Sequence, residues 1–189
     1  MTDHDVAGGG YSVDAYFGLV HAGVLSEDDR VELLDGVIVA EPPMDPPHAT
    51  GISRAARALQ YAAGAGVVVR VQSPLIAGPV SVPEPDVCLV PGCDADYVNR
   101  HPASALLVVE VSDSSLKQDR LSKSRIYAGA GVPEYWIVNL RDDHVEVFRQ
   151  PDADQRVYAE HRVAHRGQRL ELLALPGVAV SVADLLPPG

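Results

Sequence analysis

The stretch Leu106-Leu107-Val108-Val109-Glu110-Val111 decides how this chain is read. Apart from the glutamate every residue in it is aliphatic, with no polar alternation, as in a strand covered on both faces. A strand of that kind lies inside a sheet with helices packed on it. The run therefore predicts an α/β (α+β) domain with a central mixed β-sheet flanked by helices. Glu110 interrupts the pattern. An ionised carboxylate in such surroundings is costly unless it is paired, protonated or bound to a metal. A glutamate at the exposed end of a core strand, paired with a nearby arginine, is the plainer reading of the same residue.

The segments on either side supply further charges. Pro83-Glu84-Pro85-Asp86 is a stiffened approach to a short strand over Val87–Val90. If that strand lies beside the Glu110 strand, both carboxylates reach one point at the sheet edge. Two hard oxygen ligands there suit Mg2+ or Mn2+, which keep several waters as further ligands. Taken singly, Asp86 reads better as a turn aspartate. Downstream, Leu116–Ala130 predicts a helix closed by Gly129 and Gly131. At 3.6 residues per turn, Leu116, Asp119, Lys123, Ile126, Tyr127 and Ala130 share an arc of about 100°. That inward stripe carries an aspartate and a lysine. An Asp119–Lys123 pair one turn apart, worth a few tenths of a kcal/mol, is the ordinary explanation. A lysine directed at buried carboxylates accounts better for charge on the apolar side, and its ammonium can orient an attacking water and stabilise a phosphoryl oxygen.

The rest of the chain frames this centre. Residues 1–10, ending in Gly8-Gly9-Gly10, read as a flexible arm, and without a following lysine-serine they form no phosphate-binding loop. Residues 11–189 read as one domain. Its expected elements begin with a helix within Tyr11–Leu25 and two strands around Asp35-Gly36 in Val31–Val39. A proline-rich loop over Glu41–Pro47 precedes a helix from His48 to about Ala63, then a strand over Val67–Val71. Tyr135–Leu140 and Val145–Arg149 form a hairpin, and Val157–Val163, Leu170–Leu173 and Val178–Val180 supply the remaining strands.

Composition bounds the function. No apolar run reaches the roughly 18–20 residues of a membrane span, and the first residues lack the flanks of a signal peptide. A cytoplasmic protein without a membrane partner is expected. Cys88 and Cys93 cannot complete a four-ligand zinc site, and a strand position and a turn position account for them. His161 and His165 fall on an expected strand and lack the glutamate of a zinc-protease helix. Fifteen Lys and Arg against 26 Asp and Glu give a net charge of −11. That opposes nucleic-acid binding, which usually shows as a basic stripe. Only Lys117, Arg120, Lys123 and Arg125 form a modest cluster.

A family resemblance rests on these residues. Pro85-Asp86-Val87, Leu107-Val108-Val109-Glu110-Val111-Ser112, Asp119-x-x-x-Lys123-x-x-x-Tyr127 and Gly131-Val132-Pro133-Glu134-Tyr135-Trp136-Ile137-Val138 together resemble the Uma2 family. Those are restriction-endonuclease-like proteins of the PD-(D/E)XK superfamily. Glu32-Leu33-Leu34-Asp35-Gly36 and Pro46-Pro47-His48 resemble its N-terminal half, so the likeness spans about residues 11–186. It implies Mg2+-assisted (or Mn2+-assisted) phosphodiester hydrolysis, with Asp86 and Glu110 as the acidic motif residues and metal ligands. The superfamily's lysine, two positions after the acid, is replaced by Ser112. Uma2-like sequences supply it from the next helix, here as Lys123, the residue that helical periodicity also turns inward.

Accessory positions follow. The Val111 carbonyl or Ser112 completes the metal site. Glu32 either approaches the metal from a neighbouring strand or is a strand-end carboxylate. His48 reads first as helix entry, and Tyr127 as a packing residue that can reach the site rim. The implied substrate is nucleic acid, DNA before RNA. The alternative is a nuclease-derived binding or assembly module with little or no activity, which the charge of −11 favours. Hydrolysis of a smaller phosphoester is a third reading. A homodimer would let an acidic protomer pool its few basic residues.

Overall fold

In the computed structural model, residues 10–188 are described; the expected arm over residues 1–10 lies outside them except for Gly10. Six strands form the central sheet in the spatial order β3 (Val67–Val71), β4 (Val87–Pro91), β5 (Leu107–Ser112), β6 (Glu134–Asn139), β7 (His144–Asp152), β8 (Val157–His165). Every neighbouring pair is antiparallel except β5 and β6, which run parallel. Every residue of β5 and β6 is buried, so their apolar runs are explained by cover on both faces. The mixed sheet with flanking helices is the expected architecture. Strand β5 starts at Leu107, one residue later than its pattern suggested, and continues through Ser112.

Helix α2 (Pro46–Ala62) covers one face, where Ile52, Ala55 and Leu59 join Val87, Leu89, Val109, Val111 and Trp136. It begins two residues before the expected His48. Asp45 caps it by accepting the His48 N–H at 2.9 Å. Pro46 and Pro47 fill the first positions, where a missing N–H has no partner to lose. The expected loop over Glu41–Pro47 therefore ends at Asp45. Gly51 sets the distance from α2 to the sheet, because a Cβ there would lie 2.7 Å from Val111 Cγ1.

The opposite face is covered by the crossover that parallel β5 and β6 require. It runs as α3 (Leu116–Gln118), a wide turn over Asp119–Lys123 and α4 (Ser124–Gly129). In the wide turn the Ser124 N–H bonds to the Asp119 carbonyl, five residues back, a distortion frequent at functional sites. Gly131, with φ of 71°, ends the segment as expected. Leu116, Tyr127 and Val132 pack there with Cys88, Val108, Tyr135 and Ile137.

Two small sheets flank this frame. β1 (Val31–Leu34) and β2 (Val37–Ala40) form a hairpin that an isolated bridge from Leu33 ties to Val82. Helix α1 (Val13–His21) packs beside it through Tyr16. β9 (Arg169–Glu171) and β10 (Ala179–Ser181) pair next to α5 (Val182–Leu185). Cys88 is buried, Cys93 is exposed, and both are free thiols. No described helix is long and apolar enough to cross a membrane.

Candidate active site

The β4–β5 register creates the site. Val87 lies opposite Val109, so the preceding Asp86 falls opposite Glu110. The Val111 N–H donates to Asp86 Oδ2 at 2.8 Å, and the Asp86 N–H donates weakly to Glu110 Oε2 at 3.4 Å. Because a strand residue's N–H and C=O leave the chain on the same side, the Val111 carbonyl also faces β4. Around this pair stand residues from three other elements. Lys123 Nζ, from the wide turn, lies 3.1 Å from Glu110 Oε1 and 3.0 Å from Glu32 Oε1. The Tyr127 hydroxyl, from α4, donates to Glu110 Oε1 at 2.6 Å. His48 Nε2, from α2, lies 3.2 Å from Asp86 Oδ2.

Several residues behave differently from their sequence reading. Lys123 makes no ion pair with Asp119, although the two are four apart. The wide turn changes their angular relation, and the ammonium is drawn instead to the buried Glu32 and Glu110. Asp119 accepts the Ser112 hydroxyl at 2.6 Å, which gives a role to the serine at the vacant lysine position. Tyr127 is fully buried with its ring tilted against Tyr135, so it stands behind the site rather than on its rim. Glu32 is buried too, but β1 belongs to the separate small sheet, not to a neighbour of β5. Its Oε1 also accepts the Glu84 N–H at 2.6 Å. His48 sits in the first turn of α2 and faces Asp86, so helix entry and proximity to the carboxylates hold together.

Burial and charge crowding set the protonation of this cluster. Burial alone would strip the proton from Lys123, but Glu110, Glu32, Asp119 and Asp86 around it push its pKa well above 10.5. Lys123 is therefore a fixed ammonium. Burial pushes the Glu110 carboxyl well above the ordinary carboxylate range, against the pull of Lys123. Glu32 and Asp119 are raised for the same reason. His48 is raised by its hydrogen bond to Asp86. Glu84, beside Glu41 and Glu32, is pushed up by burial to about 7. One ammonium among these carboxylates leaves negative charge that a proton or a cation must offset.

The cluster opens on a cavity of about 60 Å³ lined by Glu32, Glu41, Glu84, Asp86, Glu110 and Asp119, together with Arg30, Lys123 and His48. That is room for about two waters. Among the described residues no three Asp, Glu, His or Cys side chains form a ready-made metal cage. Of the cavity's oxygens, those expected to hold a metal are the Asp86 and Glu110 carboxylates and the Val111 carbonyl. Both Asp86 hydrogen bonds fall on Oδ2, and no described group donates to Oδ1. An all-oxygen set this sparse suits a hard cation that keeps its own waters. Glu84 was missed as a member of the cavity. Its signal was present in Pro83-Glu84-Pro85-Asp86, where two prolines rigidly place both acids.

A structural match is the crystal structure, at 1.96 Å resolution, of a "putative nuclease belonging to DUF820" from Anabaena variabilis ATCC 29413. It is 14% identical, with a TM-score of 0.72, covering 92% of this chain and 96% of the other, so the fold is shared. No curated protein matches significantly. The Uma2 family model, described as "Putative restriction endonuclease", matches residues 15–183. The chain thus belongs to the Uma2 family of restriction-endonuclease-like proteins.

Proposed function

We propose that this protein is a metal-dependent endonuclease that hydrolyses nucleic-acid phosphodiesters, DNA in preference to RNA. The observation that carries this reading is the approach of Asp86, Glu110 and Lys123, from three separate elements, to one small polar cavity. Asp86, Glu110 and the Val111 carbonyl would hold Mg2+ or Mn2+. Bound there, the ion would supply Lewis acidity toward a phosphoryl oxygen and acidify a bound water.

The chain's own groups prepare the rest. Lys123 cannot accept a proton because its carboxylate neighbours keep it charged. Its ammonium instead orients the attacking water and stabilises charge developing on a non-bridging oxygen. The water oxygen bonds to phosphorus as the P–O bond to the leaving sugar breaks, and the departing sugar oxygen takes its proton from solvent water. The attacking water's proton passes to a cavity carboxylate that does not hold the metal and whose proton affinity burial has raised, as at Glu84. Tyr127 fixes Glu110, His48 fixes Asp86, and Ser112 fixes Asp119, so the acids hold their positions before substrate arrives. The test is cleavage of plasmid and oligonucleotide DNA with Mg2+ or Mn2+, expected from the native protein and absent from Asp86→Ala and Glu110→Ala. Absence of cleavage with either ion would remove the reading.

A nuclease-derived binding module, which the charge of −11 favours, has a structural observation in its favour as well. Asp86 Oδ2 and both Glu110 oxygens already have partners inside the protein. Calorimetric titration with Mn2+ separates the two readings. Heat that disappears in Glu110→Ala supports the endonuclease, and no heat supports the module.

A further inference from the structure

A chain of net charge −11 whose proposed site is lined by carboxylates needs a cationic surface elsewhere to hold a polyanion. Of its fifteen Lys and Arg side chains, Arg30, Arg120, Lys123, Arg141, Arg149, Arg156 and Arg166 are ion-paired. The other eight pair with no described carboxylate. Three of them, Arg54, Arg57 and Arg169, line one open groove of about 670 Å³ between α2 and the β9–β10 hairpin. Among the described residues Asp184 is the only carboxylate on its walls, so the described lining is net positive.

Backbone carbonyls position two of these arginines. Arg54 Nη2 donates to the Ala183 carbonyl at 2.8 Å, and Arg169 Nη2 donates to the Ala179 carbonyl at 2.6 Å. Carbonyls orient the two guanidinium groups without neutralising them. Arg54 Nε is buried and has no partner. Tyr61, 85% exposed, offers an uncovered ring on the same wall. Arg54 and Tyr61 lie about 9 and 20 Å beyond His48 along the α2 axis, at 1.5 Å per residue. The helix whose first turn touches Asp86 thus carries the groove.

We propose that this groove binds single-stranded nucleic acid, with Arg54, Arg57 and Arg169 on successive phosphates and Tyr61 stacked on an unpaired base. It extends the endonuclease reading by giving the substrate a foothold outside the acidic cavity, but it is measured without cleavage. Fluorescence anisotropy with a labelled oligothymidine of about 12 nucleotides, in EDTA and at low salt, is the assay. Arg57 is exposed and makes no described hydrogen bond, so Arg57→Glu alone keeps the test valid if loss of the Arg169 bond to Ala179 disturbs the hairpin, which circular dichroism of each variant reads.

Arg57→Glu combined with Arg169→Glu should weaken binding at least about tenfold and flatten its salt dependence, each lost phosphate contact removing about 0.7 of a unit of slope on a single strand. Tyr61→Ala should weaken the oligothymidine and leave duplex DNA unaffected. Binding unchanged by the arginine reversals, no binding by the native protein, or equal affinity for polyglutamate would each overturn the proposal. Loss of the endonuclease reading shows separately, as oligonucleotide that binds through the groove but is not cut when metal is added.

Discussion

The carboxylate cavity and the arginine groove share helix α2 and are opposite in almost every physical respect. The cavity is small, and burial with mutual hydrogen bonding locks its acids in place. The groove is about ten times larger, exposed, and cationic because Asp184, the one described carboxylate on its walls, pairs with none of its three arginines. Chemistry on a phosphodiester asks for preorganised acids, whereas holding a polyanion asks for unpaired cations. The two demands conflict at short range, since a free guanidinium beside Glu110 would simply pair with it. Arg30, at the cavity mouth, shows this outcome in its ion pair with Glu41. A net charge of −11 therefore describes neither region.

The contrast should appear first in stability. Lys123→Met leaves Glu32 and Glu110 buried without their cation and is expected to cost about 3–5 kcal/mol, read by urea denaturation. Arg57→Ala, on the exposed wall of the groove, should stay within about 0.5 kcal/mol of the native protein. Equal effects from the two would break the distinction between a locked and an open charge. Gly51→Val should disturb both regions together. The added side chain collides with Val111 and pushes α2 from β5, at about 1–3 kcal/mol, moving His48 from Asp86 and shifting the groove with it.

Tyr127→Phe sharpens the account of the cavity. Loss of the bond to Glu110 should lower cleavage while costing stability only about 1 kcal/mol. A cleavage rate unchanged in this variant would mean that Glu110 needs no fixing.

The smallest expected effect lies in a third charged cluster. Glu146 accepts from Arg120 and Asn139. Burial acts to raise its pKa, but these donors outweigh burial and leave it lowered. A carboxyl lowered on folding contributes stability that is full above its unfolded pKa of about 4.5 and is lost as pH falls through the folded value. Arg120→Met should shrink that acid-side loss, by roughly 1 kcal/mol or less because Arg120 is part-exposed. Acid titration of both proteins by circular dichroism checks the sign.

Much of the frame could be read from local pattern. The uninterrupted aliphatic run before Glu110, the hairpin around Asp142 and the glycine stop at Gly131 are consequences of neighbours in sequence. Glu110 stood out because a charge among aliphatics is anomalous wherever the strand goes, and Lys123 because 3.6-residue periodicity is a property of the helix alone. Where local rules met tertiary forces they gave way. The Asp119–Lys123 pair, expected from spacing, yields to a wide turn that sends the ammonium to Glu32, a residue 91 positions earlier.

By itself, then, the sequence determined the fold class and the family and singled out Asp86 and Glu110 as candidate acids, since each is written in short-range patterns of residue type. Tertiary structure alone decided that Glu32 joins Lys123, that His48 reaches Asp86, and that Tyr127 stands behind Glu110. It also gathered Arg54, Arg57 and Arg169 into one groove. Those arginines are scattered over more than a hundred residues, and no local rule registers charges that become neighbours only when a helix packs against a distant hairpin.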